Sequence, residues 1–219
     1  MKKSNQKNLY ISISLLAGFI LWTVLVSTLH VEAIGPLGSS VGFAHINKFV
    51  HNLTGVNMTL YIITDWLGLV PVLFGFGFAL LGLTQWIRRK KLLKVDHSIL
   101  ALGVFYIITI AVYTLFEVYT VNYRPILING YLEVSYPSST TLLTMCVMPT
   151  AIIQLNFRIK STLLRQYVVL LIAVFTAFMV IGRILSGVHW ISDIIGGALL
   201  SAGLVMAYRY VADVLQTQQ

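Results

Sequence analysis

Histidine and aspartate lie four positions apart near the end of the chain, at His189 and Asp193. On a helix that begins near His189, residues four apart share one face, so the carboxylate can hold one imidazole nitrogen and direct the other outward. An imidazole oriented in this way serves as a nucleophile or a general base. We therefore take His189 and Asp193 as the candidate catalytic pair.

Groups suited to binding an anion accompany this pair. Arg124 and Arg183 carry forked guanidinium donors, whose geometry fits a phosphate group. Ser138 and Ser139 follow Pro137 at an expected helix start, where backbone N–H groups and the helix dipole favour an anion. An isolated arginine or histidine is more often structural, but this combination favours phosphate chemistry.

Whether these residues meet depends on the elements that carry them. Of the 219 residues, 58% are hydrophobic and only 10% are charged, against about 25% charged in soluble domains. This composition excludes a soluble globular domain and a disordered chain. The one cysteine, Cys146, leaves no intramolecular disulfide framework and no cysteine zinc site. The sequence therefore predicts an all-α, polytopic membrane helix bundle with a single domain over residues 1–219.

Six segments are apolar and long enough to cross about 30 Å of hydrocarbon. They are Leu9–Leu29, Met58–Ile87, Ile99–Tyr119, Ser138–Phe157, Gln166–Leu185 and Trp190–Tyr208. The first segment follows three lysines but exceeds the usual apolar core of a signal peptide, so we expect it to remain as an anchor.

Basic residues predict how these spans are oriented. Lysines and arginines cluster before the first span and in the loops after the second and the fourth, and Arg209 follows the sixth. Basic loops favour the cytoplasmic side, so both termini are predicted to be cytoplasmic in a multi-pass protein of the cell membrane. The net charge of +8 is then mainly a topology signal, and nucleic acid is not expected as a partner. The candidate site falls on the extracytoplasmic side.

The spacing of these residues resembles a known family. Arg183 to Asp193 reads R-x5-H-x3-D, which resembles the third signature of the type 2 phosphatidic acid phosphatases, relatives of the vanadium haloperoxidases. Arg124-Pro125 resembles the end of the first signature, K-x6-R-P, and Pro137-Ser138 resembles the start of the second, P-S-G-H. The resemblance covers residues 117–193, and the order of the signatures and the six-span architecture agree with it.

The resemblance implies a two-step phosphoryl transfer that needs no metal or other cofactor. His189 would attack phosphorus to form a phosphohistidine, Asp193 would orient His189, and water would release phosphate. Arg124, Arg183 and the backbone of Ser138 and Ser139 would stabilise the charge on the phosphoryl oxygens. Membrane-bound members act on lipid phosphates or diphosphates, such as phosphatidic acid, phosphatidylglycerophosphate and undecaprenyl diphosphate. Membrane lipids are the other expected partners, and the sequence indicates no particular oligomeric state.

Three positions depart from the signatures. Glu117 stands where the first signature has lysine, Thr140 stands where the second has histidine, and Gly182 replaces the usual serine of the third. The missing histidine is thought to protonate the leaving group, and a threonine hydroxyl is too weak an acid to replace it. Two alternatives would compensate for the missing acid. In the first, burial keeps the Glu117 carboxyl protonated, so that it supplies the proton. In the second, the leaving group is itself a phosphate and needs no proton. Glu117 could instead form a salt bridge to Arg124 or Arg183, and Thr140 could serve as a helix-start hydrogen-bonding residue or a substrate contact.

Two main functions remain open at this point. The favoured one is an integral-membrane lipid phosphatase that acts at the outer leaflet and prefers diphosphates. The alternative is a catalytically weakened relative that binds or translocates phosphorylated lipid. An unrelated channel or transporter is a third class, but it predicts a polar stripe through several spans that the sequence lacks.

Overall fold

Helices make up nearly all of the regular structure of the chain. The computed structural model describes residues 2–216, with side chains over residues 6–215. The helices are α1 (Lys2–Thr28), α2 (Ala44–Thr54), α3 (Met58–Leu67), α4 (Leu69–Arg89), α5 (His97–Val118), α6 (Ser139–Arg158), α7 (Thr162–Ser186) and α8 (Ile191–Gln216). Short 3-10 turns lie at Pro36–Gly38 and Leu92–Lys94, and the described residues contain only isolated β-bridges in loops and no strands.

Six helical segments of the described chain are long and apolar enough to span a membrane, which confirms the predicted all-α membrane bundle. Five of the predicted spans match to within about one helical turn. The sixth prediction was wrong at its end, because the last span runs from Ile191 to Leu215 rather than stopping at Tyr208. Arg209 therefore lies inside α8, where its side chain is exposed, and does not follow the last span.

The second span is a pair of helices joined at Gly68. α3 and α4 together cover Met58–Arg89, which is 32 residues and longer than a straight crossing requires. Pro71 lies in the first turn of α4, where backbone N–H groups have no intrahelical acceptor, so the missing N–H of proline costs no hydrogen bond. The Gly68 N–H bonds the carbonyls of Thr64 and Asp65 and closes α3. The break places Asp65 in the last turn of α3, near the site described below.

The interior of the bundle is formed by α6 and α8. About half of the residues that cross the membrane in these two helices are buried, whereas the other spans are mainly exposed. The first helix packs along the last more extensively than any other pair. Ser12 Oγ donates to the Gly203 carbonyl at 2.8 Å, and Trp22 Nε1 donates to the Ser192 carbonyl at 3.0 Å. α1 thus supports the whole length of α8, including the turn that carries Asp193.

The two ends of the bundle differ in charge. At one end Asp96 accepts a hydrogen bond from Arg89 at 3.0 Å and lies 3.7 Å from Arg158, so the loops after the second and fourth spans meet there. The N-terminal part of α1 and the C-terminal part of α8 share that end, since Asn8 donates to Asp213 at 3.3 Å. The loops that contain Arg124, Ser135 and His189 lie at the opposite end.

Candidate active site

A tight turn between α7 and α8 carries His189. Gly187 adopts a left-handed conformation with φ of 64°, and a Cβ atom there would lie 1.8 Å from the Gly55 carbonyl oxygen. Only glycine fits such a close approach of two backbones. α8 begins two residues after His189, and the Asp193 carboxylate accepts the Trp190 N–H at 3.0 Å, which caps the helix start. The turn and the cap fix His189 next to the first turn of α8.

His189 and Asp193 are joined through a third residue, Ser135. The Ser135 hydroxyl donates to Asp193 Oδ2 at 2.5 Å and lies 2.9 Å from His189 Nδ1. No direct hydrogen bond joins His189 to Asp193 in the described part of the chain, because His189 precedes α8 instead of lying on its face. The expected pair is thus brought together, but the expected direct contact was wrong.

The second imidazole nitrogen of His189 faces a cation. Nε2 lies 3.4 Å from Arg124 Nη1, so the guanidinium N–H can donate to it. Burial lowers the pKa of His189 well below its usual value, and the charges of Arg124 and Arg183 lower that pKa further. The imidazole is therefore neutral at neutral pH, which is the form that can act as a nucleophile.

The loop between α5 and α6 positions Arg124. Its backbone N–H donates to the Glu133 carbonyl at 3.0 Å, and Tyr123 and Val134 form an antiparallel bridge. The Arg124 Nε atom lies 3.0 Å from Glu133 Oε2, within ion-pair distance but poorly aligned for a hydrogen bond. Arg124 is mostly buried, and this folded loop aims its guanidinium at His189.

Arg183 is buried, and part of its guanidinium has no partner. Nη2 donates to Asp65 Oδ1 at 2.9 Å and also to Thr140 Oγ1. Nε and Nη1 are buried without a hydrogen-bond partner. Leaving buried donors unpaired is costly, and an oxyanion would satisfy both. The Tyr61 ring lies beside both guanidiniums, with its centroid 4.9 Å from Arg183 Cζ and 5.8 Å from Arg124 Cζ.

The start of α6 differs in part from the expected anion site. The Ser138 N–H donates to the Asp193 carbonyl at 3.1 Å, and Ser138 Oγ accepts from Thr141 at 3.1 Å. Its backbone N–H is therefore occupied within the chain, and the expected phosphate contact by Ser138 stays a prediction. Ser139 lines the cavity beside His189. Thr140 lies in the first turn of α6 and accepts a hydrogen bond from Arg183, which agrees with the expectation of a hydrogen-bonding residue at a helix start.

Two adjoining cavities meet at this site. A polar cavity of about 270 Å³ is lined by Tyr113, Glu117, Arg124, Glu133, Val134, Ser135, Pro137, Ser139 and His189. A more apolar cavity of about 360 Å³ lies between the membrane-spanning helices and is lined by Asp65, Gly68, Leu69, Thr109, Ile110, Tyr113, Ser139, Thr140, Leu142 and Leu143. Tyr113 and Ser139 line both cavities, so the two cavities adjoin at these residues.

Glu117 faces the polar cavity from α5, one turn after Tyr113. Arg124 pairs with Glu133 and Arg183 pairs with Asp65, and in the described chain neither forms a salt bridge with Glu117. The expected salt bridge was therefore wrong. The other expectation, that Glu117 donates a proton, stays a prediction.

Sequence reasoning missed four residues that complete the site. Ser135 and Glu133 lie just before the second signature, Tyr61 belongs to the second span, and Asn122 lies in the α5–α6 loop. Asn122 Nδ2 donates to Asp193 Oδ1 at 2.9 Å, whereas Ser135 bonds the other carboxylate oxygen. Asn122 stands two residues before Arg124, close to the first signature.

The arrangement is a buried imidazole close to two guanidiniums, set at one end of a six-span membrane bundle. The sequence model of the PAP2 superfamily matches residues 95–216, so the chain belongs to that superfamily. The fold is similar to a transmembrane PAP2 type phosphatidylglycerolphosphate phosphatase from Bacillus subtilis, with a TM-score of 0.61 and 17% identity over 91% of this chain and 94% of that one. A comparison with proteins of curated function gives no match.

The family assignment confirms the resemblance that the signatures indicated. The protein is a multi-pass membrane protein with a phosphatase fold. Membership of the PAP2 superfamily, together with this fold, supports phosphatase activity in general.

Proposed function

We propose that the protein is a lipid phosphatase that hydrolyses a lipid phosphate or diphosphate through a phosphohistidine at His189. The observation that carries the proposal is the position of His189 Nε2. This atom faces Arg124 in the polar cavity, while Nδ1 is held on the other side by Ser135. A neutral imidazole with one unprotonated nitrogen next to cationic donors suits attack on phosphorus.

The adjoining cavities support a lipid substrate. The polar cavity at His189 accommodates a phosphate group, and the apolar cavity extends from it between α3, α4, α5 and α6. A lipid can therefore keep its apolar part among the membrane spans while its phosphate reaches His189. Ligand sites commonly combine an apolar wall with a few convergent polar groups in this way.

The proposed reaction has two steps. The lone pair of His189 Nε2 attacks phosphorus, a P–N bond forms, and the P–O bond to the lipid leaving group breaks. Water then attacks the phosphorus, the P–N bond breaks, and inorganic phosphate leaves. The N–H groups of Arg124 and the unpaired Nε and Nη1 donors of Arg183 stabilise the oxygens of the transferred group.

The leaving group determines the expected substrate preference. Thr140 occupies the position of the usual acid, and its hydroxyl oxygen is engaged by Arg183. Without an acid, an alkoxide leaves poorly, whereas a lipid monophosphate leaves well. We therefore propose that diphosphates such as undecaprenyl diphosphate are turned over faster than phosphatidic acid.

The charge of the two ends supports a site on the extracytoplasmic side. The end opposite the site carries the basic loops with Arg88–Lys94 and Arg158–Arg165. The basic end is expected in the cytoplasm, so His189 is expected near the outer leaflet, with both termini inside.

The decisive experiment uses the purified full chain in detergent. We expect phosphate release from undecaprenyl diphosphate to exceed release from phosphatidic acid, and we expect His189→Ala to abolish both. Labelled lipid diphosphate, quenched in alkali, is expected to leave label on His189. Absence of release from both lipids by wild-type protein would overturn the proposed activity, and faster turnover of phosphatidic acid would overturn the preference.

The side of the membrane has a separate test. The only native cysteine, Cys146, is buried, so single cysteines can be introduced for labelling in whole cells. Tyr131→Cys lies in the loop at the site end, where this side chain is 74% exposed, and Lys91→Cys lies at the opposite end. We expect a membrane-impermeant maleimide to label Tyr131→Cys and not Lys91→Cys. The reverse pattern contradicts an outer-leaflet site.

Binding or translocation of phosphorylated lipid without hydrolysis is the second candidate. It is favoured by Thr140, which removes the usual acid, and by Glu117, which places a carboxylate in the polar cavity. His189→Ala separates the two candidates, since a binder keeps its biological activity in that variant and an enzyme loses it.

A further inference from the structure

We infer that Ser135 is a positioning residue that couples His189 to Asp193 and fixes which imidazole nitrogen attacks. Its expected kinetic effect rests on the proposed function, whereas its effect on the imidazole does not. Ser135, His189 and Asp193 are all buried, so water does not compete for their hydrogen bonds.

The donors and acceptors around Ser135 allow one arrangement of protons. The Asp193 carboxylate can only accept, so the Ser135 hydroxyl uses its single proton at Oδ2. The Ser135 oxygen must then accept from His189 Nδ1, which therefore carries the ring proton. Nε2 is left with a lone pair that points towards Arg124 and the polar cavity.

Ser135 and its partner Asp193 are each held by further hydrogen bonds. The Ser135 N–H donates to the Asn122 carbonyl at 2.9 Å. Asp193 accepts from Asn122 at 2.9 Å and from the Trp190 N–H at 3.0 Å, in addition to Ser135. When Nε2 bonds to phosphorus, the ring becomes positive, and the Asp193 charge stabilises it across one hydroxyl group. The protons on Nδ1 and on Ser135 stay in place throughout.

Two buried serines of α8 provide matched comparisons for Ser135 of the α5–α6 loop. Ser192 Oγ donates to Asp193 Oδ1 at 3.2 Å, so it contacts the same carboxylate on its other oxygen without contacting the imidazole. Ser201 Oγ donates to the Gly197 carbonyl at 2.6 Å, deeper in the same helix and away from the site. Loss of a buried serine hydroxyl is therefore separable from loss of the link to His189.

The kinetic test compares alanine variants of these serines on lipid diphosphate in detergent. We expect Ser135→Ala to lower kcat about 10- to 100-fold, the effect of one hydrogen bond to an ionised group, with KM within about twofold because the phosphate contacts remain. Ser135→Thr keeps the hydroxyl and is expected to recover most of the loss. Ser201→Ala is expected to match wild type, and Ser192→Ala to fall between. A Ser135→Ala enzyme with kcat within about twofold of wild type would refute the coupling.

A second measurement does not depend on turnover. In protein labelled with 15N-histidine, the five histidines give separate ring signals, and the signal missing in His189→Ala identifies His189. We expect the Nδ1–H form in wild type and Ser135→Thr, and a mixture of both tautomers in Ser135→Ala. An Nε2–H ring in wild type would overturn the inference. If the tautomers behave as expected but no lipid is hydrolysed, the proposed function fails while the role of Ser135 stands.

Discussion

Arg183 donates a hydrogen bond to Asp65 at 2.9 Å, although the two residues are 118 positions apart in the chain. The bond crosses from α7 to the last turn of α3, which the break at Gly68 places within reach. Because Asp65 and Thr140 share one guanidinium nitrogen, the Nε and Nη1 donors keep a fixed direction and remain free. Arg183 is thus oriented before any anion binds.

Thr140→His restores the acid of the second signature and is expected to speed the hydrolysis of monoesters. The residue lines the apolar cavity of about 360 Å³, which leaves space for an imidazole, and Asp65 still holds Arg183. General acid catalysis contributes typically about 10²–10⁴-fold, so we expect phosphatidic acid turnover to rise at least about tenfold. Diphosphate turnover should change little because its leaving group needs no proton.

The control for this gain is Thr140→Asn, which can accept from Arg183 but cannot act as an acid. We expect it to leave the ratio of monoester to diphosphate turnover as in wild type. An equal rise in both variants, or a rise of diphosphate turnover in Thr140→His alone, contradicts the leaving-group argument.

Glu117→Lys is expected to tighten binding of vanadate, a mimic of the five-coordinate phosphoryl group. The substitution changes the charge facing the polar cavity by two units, and Glu117→Gln changes it by one. Because Glu117 is exposed, screening limits the effect, and we expect about three- to tenfold tighter inhibition for lysine and less for glutamine at low salt.

Glu32→Gln serves as the control, since this carboxylate belongs to the same end of the bundle but pairs with His45 and does not line the cavity. Unchanged vanadate inhibition in Glu117→Lys would contradict an electrostatic role. A Glu117→Gln variant that loses monoester turnover but keeps diphosphate turnover would instead identify Glu117 as the proton donor.

The pH dependence of kcat/KM is expected to reflect the lowered pKa of His189. A protonated imidazole cannot attack phosphorus, and burial with the charges of Arg124 and Arg183 opposes protonation. The acid limb should therefore lie below about 6.5, the ordinary histidine value. Arg124→Gln removes one positive charge, which favours the protonated imidazole. The acid limb of the residual activity should therefore lie at a higher pH than in wild type.

Arg165→Gln, in the first turn of α7, is the matched control, because it removes a charge at the basic end of the bundle. Since the substrate titrates identically in all three proteins, only the displacement between their limbs is compared. A limb that moves to lower pH in Arg124→Gln would be inconsistent with the electrostatic cause.

Gly187→Ala is expected to destabilise the fold more than an ordinary substitution of a left-handed glycine. The left-handed backbone alone costs an alanine about 1–2 kcal/mol, and here the added Cβ would also lie 1.8 Å from the Gly55 carbonyl oxygen. Gly38 has φ of 75° with no atom within 4 Å of an added Cβ, so Gly38→Ala isolates the backbone contribution. Thermal unfolding in detergent should give a clearly lower midpoint for Gly187→Ala, and equal midpoints would rule out the steric effect.

The spans could be predicted because membrane helices depend on local composition, which the sequence displays directly. The end of α8 was missed because the helix continues through Arg209 into a polar region that composition alone does not assign to a helix. Arg124, Arg183, His189 and Asp193 could be placed at one end of the bundle by counting spans, and the structure brings them together there.

The remaining contacts depend on tertiary approach that has no local signal. Ser135 separates His189 from Asp193 only because the α5–α6 loop folds across the start of α8. The N–H of Ser138 is occupied because α6 and α8 meet at their ends, a distance that the sequence does not encode locally. The sequence separation allowed Glu117 to pair with either arginine. In the structure Arg183 pairs with Asp65 and Arg124 pairs with Glu133 instead.

The packing of α1 along α8 has a consequence for the order of biosynthesis. Because α1 precedes α8 in the chain and packs mainly against it, α1 must wait in the bilayer until α8 has been made. The turn with His189 reaches its final geometry only when α8 docks against both α1 and α6. A nascent chain that still lacks α8 therefore carries no finished site around His189.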